Sequence, residues 1–405
     1  MTTARTHLSI GLLGLATLGV ACDRKADPDA GAAPSASQPP TATPAATAAS
    51  PASSTVFGET APANACSPTL VRKVADAVAA YRTRADIPGL AVAVYRDGES
   101  CVLPFGMLGG GTERPVTAQT GFAMGSVQKV FNATLLASEI VQGHVSLDDP
   151  AATYLTAPPR TIAKSAPFAK VTFKQLATHT ASLPQDTREG GSDKDGFHLY
   201  RDDPLPSTLV DFLGAWNPAY PPGTKYADSN LGFVLLGYAT TVVAHKAYSQ
   251  LLSDVVLKPL EMTRTGVTVC DAKAAYCATG YTGKGKPVVA EAVGLWTTAT
   301  DMLQFLEGNL GVANLPDVQA RAFALTHRPL FKISAERSIG MGWEISGIVG
   351  KQRLTKNGAG AGFSSYVAFE PKEMLGVAVL TNAFAASDDV HPATLGAAIL
   401  DALEK

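Results

Sequence analysis

The stretch Phe122-Ala123-Met124-Gly125-Ser126-Val127-Gln128-Lys129 marks the point where the chain changes from extended to helical character. A helix is predicted to begin at Ser126 and to end near Gln142, where Gly143 stops it. Lys129 follows Ser126 by three residues, so the helical repeat places both side chains on one face. A serine beside a buried lysine is a candidate nucleophile, because desolvation lowers the pKa of the lysine and makes it a proton acceptor. Taken alone, the pair is better explained as a capping serine and a surface lysine.

Strand patterns occur on both sides of this stretch, and the residues between them are mainly helical in pattern. The predicted strands are Leu90–Tyr95, Ser100–Leu108, Met341–Ile345, Ser364–Phe369 and Leu375–Thr381. Strands from both ends of the chain around a helical middle predict a mixed α/β (α+β) architecture. We expect an antiparallel sheet flanked by helices, with an inserted mainly helical domain. The body, residues 67–405, then divides into an α/β part, 67–125 and 285–405, and a helical part, 126–284.

The N-terminus has the features of an export signal. An apolar run from Leu8 to Val20 follows Arg5 and ends in small residues before Cys22. The run is too short to span a bilayer and is typical of a signal peptide, here residues 1–22. Small residues directly before a cysteine resemble a bacterial lipobox, which would make Cys22 a lipidated mature N-terminus. Residues 23–66 are rich in Ala, Pro, Ser and Thr, which predicts a disordered linker. The expected location is therefore the periplasm, with a lipid anchor in a membrane.

The cysteine count agrees with an exported protein. If Cys22 carries lipid, four cysteines remain, which sequence alone connects in three ways. Cys270 and Cys277 are close enough to close a small loop, and this leaves Cys66 with Cys101 as the natural second pair. An oxidising compartment would let both disulfides form.

Composition excludes several functions. The formal net charge is −2, and no basic cluster is present, so nucleic acid is not an expected partner. The seven histidines and the cysteines show no metal-ligand spacing, so neither a metal nor another cofactor is predicted. The oligomeric state is left open.

Three further stretches carry candidate site residues. In Lys356-Asn357-Gly358-Ala359, the lysine offers positive charge, and the glycine lets a ligand approach the strand edge. The amide of Ala359 pairs with that of Ser126 as a candidate oxyanion hole. The other two stretches are Leu176–Pro184, which contains His179, and Pro222–Phe233, which leads into a helix. For His179 we expect a packing or capping role. A long polar loop, Gln185–Pro206, is predicted to be a functional rim.

Together these motifs resemble those of serine β-lactamases and penicillin-binding proteins: Ser-x-x-Lys, a Tyr/Ser-x-Asn element and Lys-Thr-Gly. The sequence is most similar to the class C β-lactamase branch and its D-alanyl-D-alanine carboxypeptidase/endopeptidase relatives, from about Ala75 to Leu403. The resemblance implies that Ser126 is the nucleophile, that Lys129 handles protons, and that Lys356, Asn357, Gly358 and Ala359 bind substrate. Asn357 stands where the family has threonine and still offers a hydrogen-bond donor.

The tyrosine of the family motif has no unambiguous counterpart. Counting without gaps, which we favour, aligns Asn230 with the asparagine that touches substrate and lysine, and Asp228 with the tyrosine. A gapped alignment uses Tyr226-Ala227-Asp228 instead. An aspartate beside Lys129 would be ionised and would favour the protonated lysine, which weakens proton abstraction. Tyr226 is the candidate that would compensate for this loss, because residues two apart in an extended segment share one side.

The resemblance implies an exported acyl-enzyme hydrolase acting on D-alanyl peptides of cell-wall material, with peptidoglycan peptides or β-lactams as small-molecule partners. The alternatives are a class C-type β-lactamase and a small-ester esterase, which use the same motifs. A further alternative is a penicillin-binding protein without turnover, prompted by the substitution at the family tyrosine.

Overall fold

The computed structural model describes residues 66–84, 87–185, 205–267, 270, 275–288, 294–360, 362–385, 387 and 390–404. The predicted signal peptide, Cys22 and nearly all of the predicted linker lie outside these residues, as does most of the loop between Gln185 and Pro206.

The helices and strands follow one another from strands through helices back to strands. In chain order they are α1 (Pro68–Arg82), β1 (Gly89–Arg96), β2 (Glu99–Gly109), β3 (Thr112–Pro115), β4 (Phe122–Ala123), α2 (Gln128–Val141), α3 (Phe173–Ala177), α4 (Ser207–Ala215), α5 (Asn230–Ala244), α6 (Tyr248–Leu252), β5 (Gly280–Tyr281), β6 (Pro287–Val288), β7 (Trp296–Thr297), α7 (Ala299–Leu310), α8 (Asp317–Thr326), β8 (Phe331–Lys332), β9 (Arg337–Ile339), β10 (Glu344–Ile348), β11 (Lys351–Gly360), β12 (Phe363–Glu370), β13 (Leu375–Thr381) and α9 (Pro392–Leu403).

One antiparallel sheet joins the two ends of the chain. Its strand order within the described residues is β3-β2-β1-β13-β12-β11-β10-β9-β8. The pairing of β1 with β13 brings Val92 opposite Val379, residues from opposite ends of the sequence. The predicted mixed α/β architecture with an antiparallel sheet is therefore confirmed.

Both faces of this sheet are covered. Alternate residues of a strand point to opposite faces, and in β1 Val92 and Val94 pack with α1 and α9, whereas Ala91 and Ala93 belong to the larger core around α2 and α7. Helix α2 lies inside that larger core, since every residue from Lys129 to Glu139 is buried. The Ser-x-x-Lys motif therefore leads into a helix that is buried from Lys129 to Glu139.

Two details differ from the predictions. The helix predicted to begin at Ser126 starts with a 3₁₀ turn, Gly125–Val127, and becomes α-helical at Gln128. The strand predicted from Met341 begins at Glu344, because Gly342 takes φ 76° and the amide of Gly340 donates to the carbonyl of Trp343 in a tight turn.

Two disulfides link the cysteines of the described residues, Cys66–Cys101 and Cys270–Cys277, in the pairing that the sequence favoured. The second disulfide packs against Gly121, the residue before β4, where a Cβ atom would meet both sulfurs. No helix among the described residues has the length and apolar character needed to cross a bilayer.

Candidate active site

Ser126 lies in the short turn between β4 and α2. Strand β4 pairs with β7, which fixes the direction in which the chain enters the turn. Gly125 takes φ 52°, a left-handed conformation that glycine adopts without strain. The first turn of a helical segment leaves amide groups without an intrahelical acceptor, and the helix dipole favours negative charge there. The half-buried Ser126 is thus placed where an oxyanion would be stabilised.

Strand β11 runs directly against this turn. A Cβ atom on Gly125 would lie 2.7 Å from the amide nitrogen of Ala359, and a Cβ atom on Gly358 would overlap the carbonyl oxygen of Met124. The Ser365 hydroxyl donates to the same carbonyl at 2.6 Å. The backbone of Ala359 and the turn that carries Ser126 are therefore neighbours, as an oxyanion hole formed by their amides requires.

Lys129 is buried and forms an ion pair with Asp228. Its Nζ donates to Oδ1 of Asp228 at 2.6 Å and to Oδ2 at 3.0 Å. Burial and the nearby charge of Lys356 lower the pKa of Lys129 to about 8, although the Asp228 carboxylate acts to raise it. Burial acts to raise the pKa of Asp228, but the positive charges of Lys129 and Lys356 and the hydrogen bond from Lys129 hold it below its ordinary value.

Lys356 provides the second cation of the site. It lies on β11, and its side chain is buried with the residue only 5% exposed. Among the described residues, its ammonium has no hydrogen-bond or ion-pair partner. Because side chains alternate along a strand, the neighbouring Asn357 faces the other way and is exposed. Lys356 and Gly358 thus face the turn that carries Ser126, and the side chain of Asn357 does not.

The second motif places Asp228, not Asn230, on Lys129. Asn230 is the first residue of α5, exposed, and its side chain forms no hydrogen bond within the described part of the chain. The helix begins there because the Ser229 hydroxyl accepts the amide of Gly232 as an N-cap and donates to the carbonyl of Pro184. The contact that the family asparagine makes to lysine is made here by Asp228.

Tyr226 lies two residues before Asp228 in the same extended segment. Its ring packs edge-on against His179, with the ring centroids 5.8 Å apart. Burial and the negative charges of Glu344 and Asp228 raise the pKa of its phenol well above the ordinary value. Tyr226 therefore remains a protonated phenol, suited to donate a hydrogen bond and not to act as a phenolate base.

Three residues at the site were not predicted as functional from sequence: Gln128, His179 and Ser365. Gln128 Oε1 accepts the amide of Leu295, which connects the start of α2 to the segment that leads into β7. His179 Nδ1 accepts the amide of Ser229 and lies 3.4 Å from Asp228 Oδ1. No local pattern marks these residues, because each acts on a partner far away in the sequence.

This arrangement allows acyl transfer but restricts it at neutral pH. A group with a pKa of about 8 is neutral in about a tenth of molecules at pH 7. If Lys129 is the base for Ser126, only its neutral form can accept the proton, and the ion pair then reduces the reactive population without removing it. Acylation is therefore expected to become faster as the pH rises through 8.

Asp228→Asn is expected to shift this pH dependence downward. Removing the carboxylate removes a charge that raises the pKa of Lys129, so the midpoint of the acylation rate falls below 8. The rate at pH 7 then rises, by up to about tenfold if Lys129 becomes fully neutral. The measurement is the rate of labelling by a fluorescent penicillin between pH 5 and pH 10.

Asp317→Asn is the matched control, because Asp317 is an exposed carboxylate paired with Arg321 on α8. It should leave the midpoint unchanged. A fall in the Asp228→Asn rate at every pH, with the midpoint at its original position, would show that Asp228 itself carries a proton in the reaction.

Comparison with known proteins identifies similar sequences and folds. The Beta-lactamase family model matches residues 74–401. A beta-lactamase from Lysobacter lactamgenus is 30% identical over 346 residues, covering 76% of this chain and 85% of that protein. A class C beta-lactamase structure aligns with a TM-score of 0.73 at 27% identity, covering 83% of this chain and 97% of that one. A D-alanine carboxypeptidase from Burkholderia cenocepacia aligns with a TM-score of 0.70 at 29% identity, covering 82% and 98%.

Proposed function

Because the chain belongs to the beta-lactamase family and is a serine hydrolase of that family, we propose that it is an exported D,D-peptidase that cleaves D-alanyl peptides of cell-wall material. In this proposal Ser126 attacks the peptide carbonyl, and Lys129 accepts the hydroxyl proton. The amides of Ser126 and Ala359 stabilise the oxyanion, and Tyr226 or Asp228 assists the proton transfers. Water then releases the acyl group from Ser126.

The observation that carries the proposal is Lys356, a residue only 5% exposed whose ammonium has no hydrogen-bond or ion-pair partner among the described residues. A cation on a largely buried side chain has lost part of its hydration and has no anion beside it here, and a carboxylate supplied by the substrate would pair with it. D-alanyl peptides end in a carboxylate one residue beyond the bond that is cleaved, and β-lactams carry an equivalent carboxylate. A simple ester without a carboxylate gains nothing from this site, which argues against the esterase alternative.

The proposed location is the periplasm, with the body held at a membrane by lipid on Cys22. The support is the apolar N-terminal run, the cysteine after small residues and the linker rich in Ala, Pro, Ser and Thr. A linker of this length spans roughly 40 Å as a flexible coil and about 130 Å when extended. Such a tether allows the body to reach peptidoglycan near the membrane.

A class C-type β-lactamase is the second candidate. It is favoured by the relatives described as beta-lactamases, and it uses the same acyl-enzyme cycle. The two candidates differ in how fast a β-lactam acyl group leaves Ser126. If the Lys129–Asp228 pair slows deacylation as it slows acylation, nitrocefin would give one burst of product without steady turnover. If nitrocefin gives such a burst and D-alanyl peptides are not hydrolysed, a penicillin-binding protein without turnover is favoured.

Lys356→Met is expected to remove the preference for a substrate carboxylate. The substrates are an N-acylated D-Ala-D-Ala peptide and its C-terminal amide, compared by kcat/KM. Hydrogen bonds between charged groups contribute about 1.5–3 kcal/mol, so the wild-type preference for the acid should be about 10- to 100-fold and should disappear in the variant. Because the result is the ratio of kcat/KM for the acid to kcat/KM for the amide, any change in the ionisation of Lys129 affects both values equally and cancels.

Lys372→Met, which removes an exposed lysine, serves as the charge-matched control and should retain the preference. The peptidase proposal is wrong if the wild-type protein cleaves neither peptide. Hydrolysis of p-nitrophenyl esters alone would support the esterase, and steady nitrocefin hydrolysis alone would support the β-lactamase.

A further inference from the structure

His179 makes the hydrogen bonds that flank Asp228 on either side. Its carbonyl oxygen accepts the amide of Ala227 at 2.9 Å, and its ring Nδ1 accepts the amide of Ser229 at 3.0 Å. One residue therefore binds the amide N–H of the residue before the aspartate and that of the residue after it. The carboxylate between them points at Lys129.

The surrounding segment strengthens this hold. The carbonyl of Thr180 accepts the amide of Gly223, and the carbonyl of Gln185 accepts the amide of Asn230. These bonds fix the ends of the segment that contains Asp228. The backbone on both sides of Asp228 is oriented by His179, since no other described residue bonds to the amides of Ala227 and Ser229.

The imidazole of His179 is held in one protonation state. Because Nδ1 accepts an amide hydrogen, the ring proton lies on Nε2, which is fully buried and has no hydrogen-bond partner among the described residues. His179 also takes φ 55°, in the left-handed region that residues other than glycine seldom adopt. A buried donor without an acceptor and a strained backbone are both unfavourable, and such features persist where the surrounding structure enforces them.

The charged neighbours also favour the neutral ring. Burial and the positive charges of Lys129 and Lys356 hold the pKa of His179 well below its ordinary value, and only Asp228 acts against them. The remaining groups that face the ring are Phe233, at 4.7 Å between centroids, and the protonated phenol of Tyr226. The 3.4 Å separation from Asp228 is therefore an approach of two acceptor atoms and not an ion pair.

We propose that His179 is a positioning residue, whose neutral imidazole fixes the Asp228 carboxylate on Lys129 by accepting the Ser229 amide. It acts on the reaction only through that ion pair. Its importance for catalysis rests on the proposed function, in which Lys129 is the base. Its effect on the ionisation of Lys129 does not depend on any activity.

The test compares variants that remove or retain the Nδ1 acceptor. His179→Leu removes it and keeps an apolar side chain of similar size. His179→Asn keeps an acceptor oxygen at the Nδ1 position and tolerates the left-handed backbone. Asp228→Asn shows how far the pKa of Lys129 falls when the carboxylate charge is lost.

The measurement is the pH midpoint of Lys129, followed by NMR of protein labelled with ¹³C in the lysine side chains. In wild-type protein the midpoint should lie near 8. In His179→Leu it should fall towards the Asp228→Asn value, because the carboxylate no longer stays on the ammonium. His179→Asn should restore the wild-type midpoint, and His179→Leu should cause no additional shift in the Asp228→Asn background.

A folded His179→Leu protein with the wild-type midpoint would overturn the proposal, and so would an equal shift in His179→Asn. If His179→Leu does not fold, the ¹⁵N spectrum of the wild-type imidazole decides instead. The proposal requires an unprotonated Nδ1 and a protonated Nε2, and a proton on Nδ1 would contradict it.

The penicillin-labelling profile of the same variants separates the two proposals. A parallel shift of its midpoint supports both. If the wild-type protein forms no adduct, the proposed function fails, while the lysine titration still decides the role of His179.

Discussion

Ser126→Ala is expected to abolish covalent labelling by a fluorescent penicillin and to reduce hydrolysis of every acyl substrate by about 10³-fold or more. The alanine retains the turn Gly125–Val127 and the backbone amide but has no atom that can form the acyl bond. Removing the nucleophile of a serine hydrolase leaves only the residual effect of the oxyanion hole and substrate binding. The measurements are adduct formation by intact mass, peptide mapping of the modified residue, and kcat/KM for the peptide and for nitrocefin.

Ser334→Ala provides the control for this change, since it removes an exposed hydroxyl between β8 and β9. It should label and turn over at the wild-type rate. An adduct that persists in Ser126→Ala and maps to another side chain would show that Ser126 is not the nucleophile. The acyl-enzyme mechanism would then have to be abandoned.

Gly358→Ala is expected to have the second-largest effect, on both acylation and stability. Its new methyl group would overlap the carbonyl oxygen of Met124 and the hydroxyl of Ser365, so β11 must move away from the turn that carries Ser126. Displacing the amide of Ala359 by about 1 Å is enough to reduce acylation by roughly 10²-fold. Overpacking a buried site costs about 1–3 kcal/mol in the free energy of unfolding. Labelling rates and urea denaturation measure the two effects.

Gly214→Ala is the matched glycine control. Gly214 lies in α4, and a Cβ atom there would meet no neighbour within 4 Å. The substitution should leave labelling unchanged and should stabilise the helix slightly, because alanine is the better helix former. Wild-type acylation by Gly358→Ala would mean that the contact between β11 and the turn is not required for catalysis.

Much of the fold could be predicted because its elements follow local patterns. The strand that became β1 is a continuous apolar run, and α1 begins with a capping serine followed by proline. Helix α8 and the short strands β8 and β9 were not predicted. Two of them are only two or three residues long, and so short a segment carries no periodicity to recognise.

In the candidate site, too, the residues in local motifs could be predicted and the contacts between distant residues could not. Ser126, Lys129 and Lys356 could be predicted as site residues because their motifs have fixed spacing. The counterpart of the family tyrosine was left between Tyr226 and Asp228, and the favoured alignment put Asp228 beside Lys129 and Asn230 at the family asparagine. The capping position of Ser229 was the signal that sets the start of α5, and it leaves Asp228 in the extended segment facing the lysine.

By itself, the sequence predicted the export features of the N-terminus, the main strands of the sheet and the Ser-x-x-Lys motif, because each depends on consecutive residues. Only the tertiary structure decided how that motif is controlled. The Lys129–Asp228 pair joins residues 99 positions apart, and His179 reaches Ser229 across 50 positions. Such contacts depend on the packing of α2 against α5 and on the start of one helix, and neither is specified by the residues near Ser126 alone.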